Sequence, residues 1–106
     1  MTHLSIDTSS SDELVLKIRS DNNMLVEEKS PAHQNHAQRL LPTIVKLLES
    51  ENLTFADLAS IEVNTGPGSY TGLRVGVSVS QALGYALGIS VNGKTLPKEK
   101  IEVLYQ

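Results

Sequence analysis

The amino-acid sequence predicts an α/β domain, a mixed sheet of about five strands carrying two main helices. Three observations carry the prediction. Short apolar runs of strand length fill the first thirty residues. The apolar period then lengthens to helical spacing over residues 35–50 and again over 71–88. A strand-like run at 59–64 separates these two stretches. A strand meander followed by helix, strand, helix and strand builds a sheet with helices laid on it. With 106 residues the chain forms one domain, 1–106, around a single modest core.

Each element has a local reason. Leu4 and Ile6 lead residues 4–6 into the polar Asp7, Thr8, Ser9 and Ser10. Over 13–19, Leu14, Leu16 and Ile18 alternate with polar residues and share one face. Residues 24–29 follow the turn-rich Ser20, Asp21, Asn22 and Asn23 as the third strand. In 35–50, Ala37, Leu40, Leu41, Ile44, Val45, Leu47 and Leu48 recur at helical spacing. Pro42 deletes one donor inside that helix, predicting a kink or the start of its regular part. Thr54 or Asp57 can cap a short turn ahead of the fourth strand. After the second helix come a strand at 89–91, a turn at Asn92 and Gly93, and a last strand at 101–105. Residues 101–106 loosely echo a viral protease tag site and are read as native.

Composition excludes several classes. Nine Lys and Arg against twelve Asp and Glu give a net charge of −3, with no basic cluster to neutralise a phosphate backbone. Nucleic acid is therefore not an expected direct partner. The absence of cysteine removes disulfides, thiolate metal sites and a cysteine nucleophile. No stretch approaches membrane-spanning length, and the expectation is a soluble, cytoplasmic protein.

The second helix is unusual. Gly72, Gly76, Ser80, Gly84 and Gly88 recur at every fourth position, a furrow free of large side chains. Val75, Val79, Ala82 and Ala86 flank it on one side, Leu73 and Val77 on the other, and Arg74, Ser78, Gln81 and Tyr85 form a narrow polar strip. Each interior glycine costs roughly 0.5–1 kcal/mol relative to alanine, which close backbone approach would offset. A surface helix needs an apolar stripe of roughly 100°; this one is about twice as wide at 100° per residue. One half can face the sheet. The other needs the first helix or a second protein, and docking of a partner into the furrow is the preferred reading.

The glycine loop ahead of that helix, residues 64–76, fits neither common phosphate motif. Its spacing is wrong for a P-loop, Leu73 and Arg74 stand where lysine and a hydroxyl belong, and Thr71 replaces the third glycine of a dinucleotide fingerprint. It is left as a weak anion cradle or a tight strand-to-helix turn. Asp7, Thr8 and Ser9 could position a magnesium-bound phosphate, but no second carboxylate stands at a matching strand end, so a turn or cap is favoured. His33 and His36 lack a third metal ligand, and Ser69 lacks a base and an orienting acid for nucleophilic work. No metal, cofactor or catalytic set is assigned.

Residues 64–76, NTGPGSYTGLRVG, resemble the signature of the TsaB family, GPGSFTG followed by a basic residue and an apolar-Gly step. The run from His36 through Leu40, Leu41 and Pro42 resembles that family's first helix, and Leu4 through Ser9 resembles its first strand with a degenerate phosphate motif. The three motifs, in order, cover roughly residues 3–91. The resemblance implies one lobe of the ribonuclease-H-like, actin-like ATPase fold, without ATPase or transferase activity. It implies a non-catalytic scaffold that binds and stabilises a TsaD-type subunit in threonylcarbamoylation of adenosine 37 of tRNAs reading codons that begin with A. A TsaE-type ATPase and its ATP act on the TsaD side.

The implied interface joins the first and second helices of two subunits. It would bury Leu40, Leu41, Ile44, Leu73, Val77 and Ser80, with His36, Arg74, Gly72 and Gly76 in the same patch. Gly66, Pro67, Gly68, Ser69, Tyr70 and Thr71 would form its edge. The metal-binding histidine pair of TsaD has no counterpart, since His33 and His36 fall on the first helix. Family members continue into a second lobe of similar size, so the chain is expected to be either a first lobe alone or a minimal member. Self-sufficient nucleotide binding then becomes less plausible, and a homodimer a live outcome. The alternative functional reading is a nucleotide-binding fragment of an actin-like ATPase around Asp7, Thr8 and the glycine loop. A protease, a label the wider family has carried, ranks last.

Overall fold

The computed structural model describes residues 1–21, 23–32 and 35–94. Its elements are β1 (Thr2–Asp7), β2 (Glu13–Ser20), β3 (Asn23–Pro31), α1 (His36–Ser50), a 3₁₀ turn (Phe55–Asp57), β4 (Leu58–Val63), α2 (Tyr70–Leu87) and β5 (Ser90–Val91). The sequence places every one of them to within two residues at either end. The strand expected over 101–105, and His33, lie outside the described residues.

The five strands form one sheet in the order β3-β2-β1-β4-β5. The first three make the antiparallel meander; β4 joins β1, and β5 joins β4, in parallel. Parallel neighbours require a crossover, which α1 and α2 supply. Alternation along the strands sends Leu4 and Ile6, then Leu14, Leu16 and Ile18, to one face, where all are buried. Register continues that apolar row across the sheet: Ile18 pairs with Leu4, Leu4 with Ile61, and Ile61 with Val91.

Both helices cover this face. From α1 come His36, Leu40, Ile44, Leu47 and Leu48. From α2 come Gly72, Leu73, Gly76, Val77, Ser80 and Gly84. Pro42 sits inside α1 without ending it. Its missing N–H would have served the carbonyl of Gln38, and both residues lie on the exposed side, where water can take the bond. Asn92 and Gly93 both have positive φ, 50° and 78°, closing the predicted turn after β5.

At 100° per residue the buried positions of α2 occupy an arc of about 140°, and the furrow from Gly72 to Gly84 lies within it. The furrow therefore faces the chain's own sheet, which corrects the expectation that it receives a second molecule. Its occupant is Thr8. A Cβ on Gly72 would strike the Thr8 carbonyl oxygen, and one on Gly76 would strike Thr8 Oγ1. Thr8 is fully buried and its hydroxyl donates to the Gly72 carbonyl at 2.6 Å. Two glycines thus let the Thr8 backbone and side chain come against the helix backbone, the close approach that offsets their helix cost.

Ser80, next along the furrow, is fully buried with an unpaired hydroxyl. Ser80→Ala removes a desolvated, unsatisfied group and improves helix propensity. It should therefore raise the unfolding free energy by about 1 kcal/mol in denaturant titration. Gly76→Ala, which must displace Thr8, should instead lower it by about 2 kcal/mol or more. Loss of stability in the first variant, or none in the second, would refute the packing described.

Candidate functional site

The loop after β1 and the glycine loop before α2 are stitched together. Asp7 Oδ1 accepts from the Ser9 hydroxyl at 2.6 Å, the Ser9 N–H at 2.9 Å and the Asn64 side-chain amide at 3.2 Å. Asn64 Oδ1 in turn accepts the Gly66 N–H at 2.9 Å. The Ser69 N–H donates to the Ser9 carbonyl at 2.8 Å, and Gly68 packs so tightly on Ser9 that a Cβ would lie 2.6 Å from that of Ser9. Ser69 caps α2, its hydroxyl accepting the Gly72 N–H at 3.4 Å. These are turn and cap functions.

That stitching bears on the phosphate reading of Asp7, Thr8 and Ser9. The Thr8 hydroxyl is buried and committed to Gly72, and the Ser9 hydroxyl is committed to Asp7. Neither points a free donor at a ligand. Partial burial pushes the Asp7 carboxyl up, but the Ser9 hydroxyl and N–H, the Asn64 amide and the Lys17 charge outweigh it, leaving it below the ordinary carboxylate value. Asp7 is a structural carboxylate that closes a turn. Among the described residues no group of three metal-ligating side chains comes together, and His36 is spent on the fold: Nε2 donates to the Glu13 carbonyl at 3.2 Å.

The expected interface residues divide into two sets. His36, Leu40, Ile44, Gly72, Leu73, Gly76, Val77 and Ser80 are interior. They are packing residues of this fold, and the prediction that a partner covers them is corrected on that ground. Leu41, Pro67, Tyr70, Thr71 and Arg74 are exposed, while Gly66, Gly68 and Ser69 are intermediate. Tyr70 and Arg74 stack and bond, the guanidinium 5.5 Å from the ring centroid and Nη1 donating to the phenol at 3.0 Å.

What the wide apolar stripe leaves open is its other half. Val75 and Val79 are half-buried, and Ala82 and Ala86 are exposed. Alongside them runs a shallow, mainly apolar groove lined by Ala37 of α1 and by Tyr70, Thr71, Arg74, Val75, Ser78 and Val79 of α2. Leu41, one turn beyond Ala37 on the same side of α1, is 44% exposed. Valine and leucine flanked by small residues and one arginine suit the burial of another apolar surface. The sequence identified the stripe as too wide for one neighbour but chose the wrong half as the open one.

One cluster was missed by sequence reasoning. On the face of the sheet away from α1 and α2, His3 Nδ1 lies 2.6 Å from Ser60 Oγ and Nε2 lies 2.9 Å from Asp21 Oδ1. These residues are scattered along the chain: the β1–β4 register brings Ser60 to His3, and the β1–β2 pairing brings Asp21 alongside.

A model of the family described as "TsaD: tRNA N6-adenosine threonylcarbamoyltransferase" matches residues 28–93. The chain is 36% identical over 92 residues to the tRNA threonylcarbamoyladenosine biosynthesis protein TsaB of Bacillus subtilis, covering 87% of this chain and 40% of that protein. It is 43% identical over 75 residues to an uncharacterized protein of Mycobacterium tuberculosis, covering 71% of this chain and 36% of the other. Among solved structures it superposes on YeaZ from Pseudomonas aeruginosa with a TM-score of 0.78 at 30% identity, over 85% of this chain and 41% of that one. The chain thus spans about two fifths of the length of these relatives. The fold is the ribonuclease-H-like, actin-like lobe that the motifs implied. Among the described residues no helix is long and apolar enough to cross a membrane.

The depressed Asp7 carboxyl sets a pH dependence. Its stabilisation is fully present above the unfolded value of about 4 and is lost as pH falls through the lower folded value. Asp21, held down first by its hydrogen bond from His3, acts in the same window. Stability followed by circular dichroism should therefore fall from about pH 5 towards pH 2, and Asp7→Asn should flatten part of that slope. An acid limb identical in the variant would count against the stitched loop.

Proposed function

The chain belongs to the TsaB family, and we propose on that premise that it is a non-catalytic partner of a TsaD-type subunit in forming threonylcarbamoyladenosine on tRNA. The observation that carries the proposal is the open apolar flank of α2 beside α1, on the side of the sheet that carries the helices. Val75, Val79 and Ala82, with Ala37 and Leu41 across the groove, would be its centre. Tyr70, Thr71 and Arg74 would be its rim, next to Gly66, Pro67, Gly68 and Ser69. In this reading the buried Gly72, Gly76 and Ser80 act indirectly, by setting the rotation of α2 that presents the flank. ATP and a TsaE-type ATPase engage the TsaD side, tRNA is not held by this chain, and the assembly works in the cytoplasm.

The same flank could join two copies of this chain, and that outcome is separable from the first. The nucleotide-binding alternative draws little support, because the hydroxyls it needs are committed within the chain.

Ala82→Glu and Leu41→Asp place charge on exposed positions of the flank without entering the core. Each should weaken association with a purified TsaD-type subunit by tenfold or more, about 1.4 kcal/mol, in titration calorimetry, with little change in Tm. Wild-type affinity in both variants would overturn the docking assignment. Gly76→Leu is not a usable probe, since it disrupts the fold first. Calorimetry with ATP and magnesium should show no binding, and micromolar binding lost in Asp7→Ala would reinstate the alternative.

A further inference from the structure

We propose that Ser60 is an activated nucleophile, a site of covalent acylation by small activated esters or thioesters, with His3 as its base and Asp21 orienting His3. The three side chains form one hydrogen-bonded chain, 2.6 Å from Ser60 Oγ to His3 Nδ1 and 2.9 Å from His3 Nε2 to Asp21 Oδ1. A carboxylate only accepts, so Nε2 carries the proton facing Asp21. In the neutral ring this leaves Nδ1 as a lone pair towards the serine hydroxyl. That is the polarity a nucleophile, base and orienting acid require.

The surroundings favour the chemistry. His3 and Ser60 are direct cross-strand partners on β1 and β4, so their separation is set by backbone pairing and not by a flexible loop. The His3 side chain is only 18% exposed, whereas Asp21 is largely in water and also meets the N-terminal ammonium at 3.4 Å. Arg19, the partner of His3 on β2, reaches across β1 to Glu62 at 2.6 Å and brings a guanidinium to the same face, where it can oppose a developing oxyanion. Among the described residues no helix covers this face, and Ser60 is only half-buried, so a small donor can reach it.

In the step itself, Ser60 Oγ forms a bond to the acyl carbon as its proton passes to His3 Nδ1. The bond from the acyl carbon to its alkoxide, phenolate or thiolate leaving group breaks. His3 then returns the proton to the departing group or to solvent, leaving an ester on Ser60. No oxidant or metal is required.

The test uses the chain with p-nitrophenyl acetate, read by intact mass and peptide mapping. One acetyl group should appear on Ser60, at a rate that rises with pH. Ser60→Ala should abolish it, and His3→Gln should slow it about a hundredfold. Asp21→Asn changes only an exposed group and leaves the core intact, so it covers the case in which a His3 variant misfolds. It should slow the reaction roughly tenfold, less than a buried orienting aspartate would. Acetyl confined to the N-terminus and lysines, or Ser60 labelling as fast in Asp21→Asn and His3→Gln as in the wild type, would overturn the proposal.

Discussion

The meeting of Thr8 with the first two turns of α2 is the constraint from which the rest of the structure follows. Two oxygens of one residue, a carbonyl and a hydroxyl, occupy the space that β-carbons on Gly72 and Gly76 would need. The hydroxyl also closes a 2.6 Å bond onto the Gly72 carbonyl. A helix held at two successive turns against a strand end cannot rotate about its axis. The orientation of every other α2 side chain is then settled.

That rotation decides which of two apolar halves goes inside. Sinking the glycine half lets Leu73 and Val77 reach the sheet and brings the helix axis closer to it than larger residues would allow. Dispersion from this proximity, and the Thr8 bond, stand against roughly 0.5–1 kcal/mol per interior glycine. The valine and alanine half is left outward, partly shielded by α1. A small-residue stripe can thus serve internal packing while leaving, on the far side of the same helix, a second apolar surface facing outward.

Much of this was legible in the sequence, because periodicity reports burial directly: Leu14, Leu16 and Ile18 could only be a one-faced strand, and α1 and α2 differ in period from it. The furrow was also legible as a close-approach device. Its partner was not, because Thr8 reads locally as a turn or phosphate-loop hydroxyl. Nothing in a linear pattern says that a polar residue at a strand end will be drawn under a helix 64 residues away. His36 was misassigned for the same reason. Its imidazole finds the Glu13 carbonyl, a tertiary partner, so a residue read as interfacial is interior.

The least legible feature was a single irregularity in β4. Leu58 and Ile61 are both buried although three residues apart, which strict alternation along a strand forbids. The register of β4 against β1 shifts at this point, from Thr2 opposite Leu58 to His3 opposite Ser60, so Ala59 is the extra residue of a bulge. With regular pairing His3 would oppose Ala59 and Ser60 would oppose Leu4, bringing a hydroxyl to the apolar row that β4 must fill. The bulge keeps Leu58 and Ile61 in that row and returns Ser60 to the outer face beside His3. The adjustment that completes the core is therefore the one that assembles the Ser60, His3 and Asp21 chain. The His3–Ser60 pair is fixed by strand pairing, and it sits on the sheet face opposite α1 and α2.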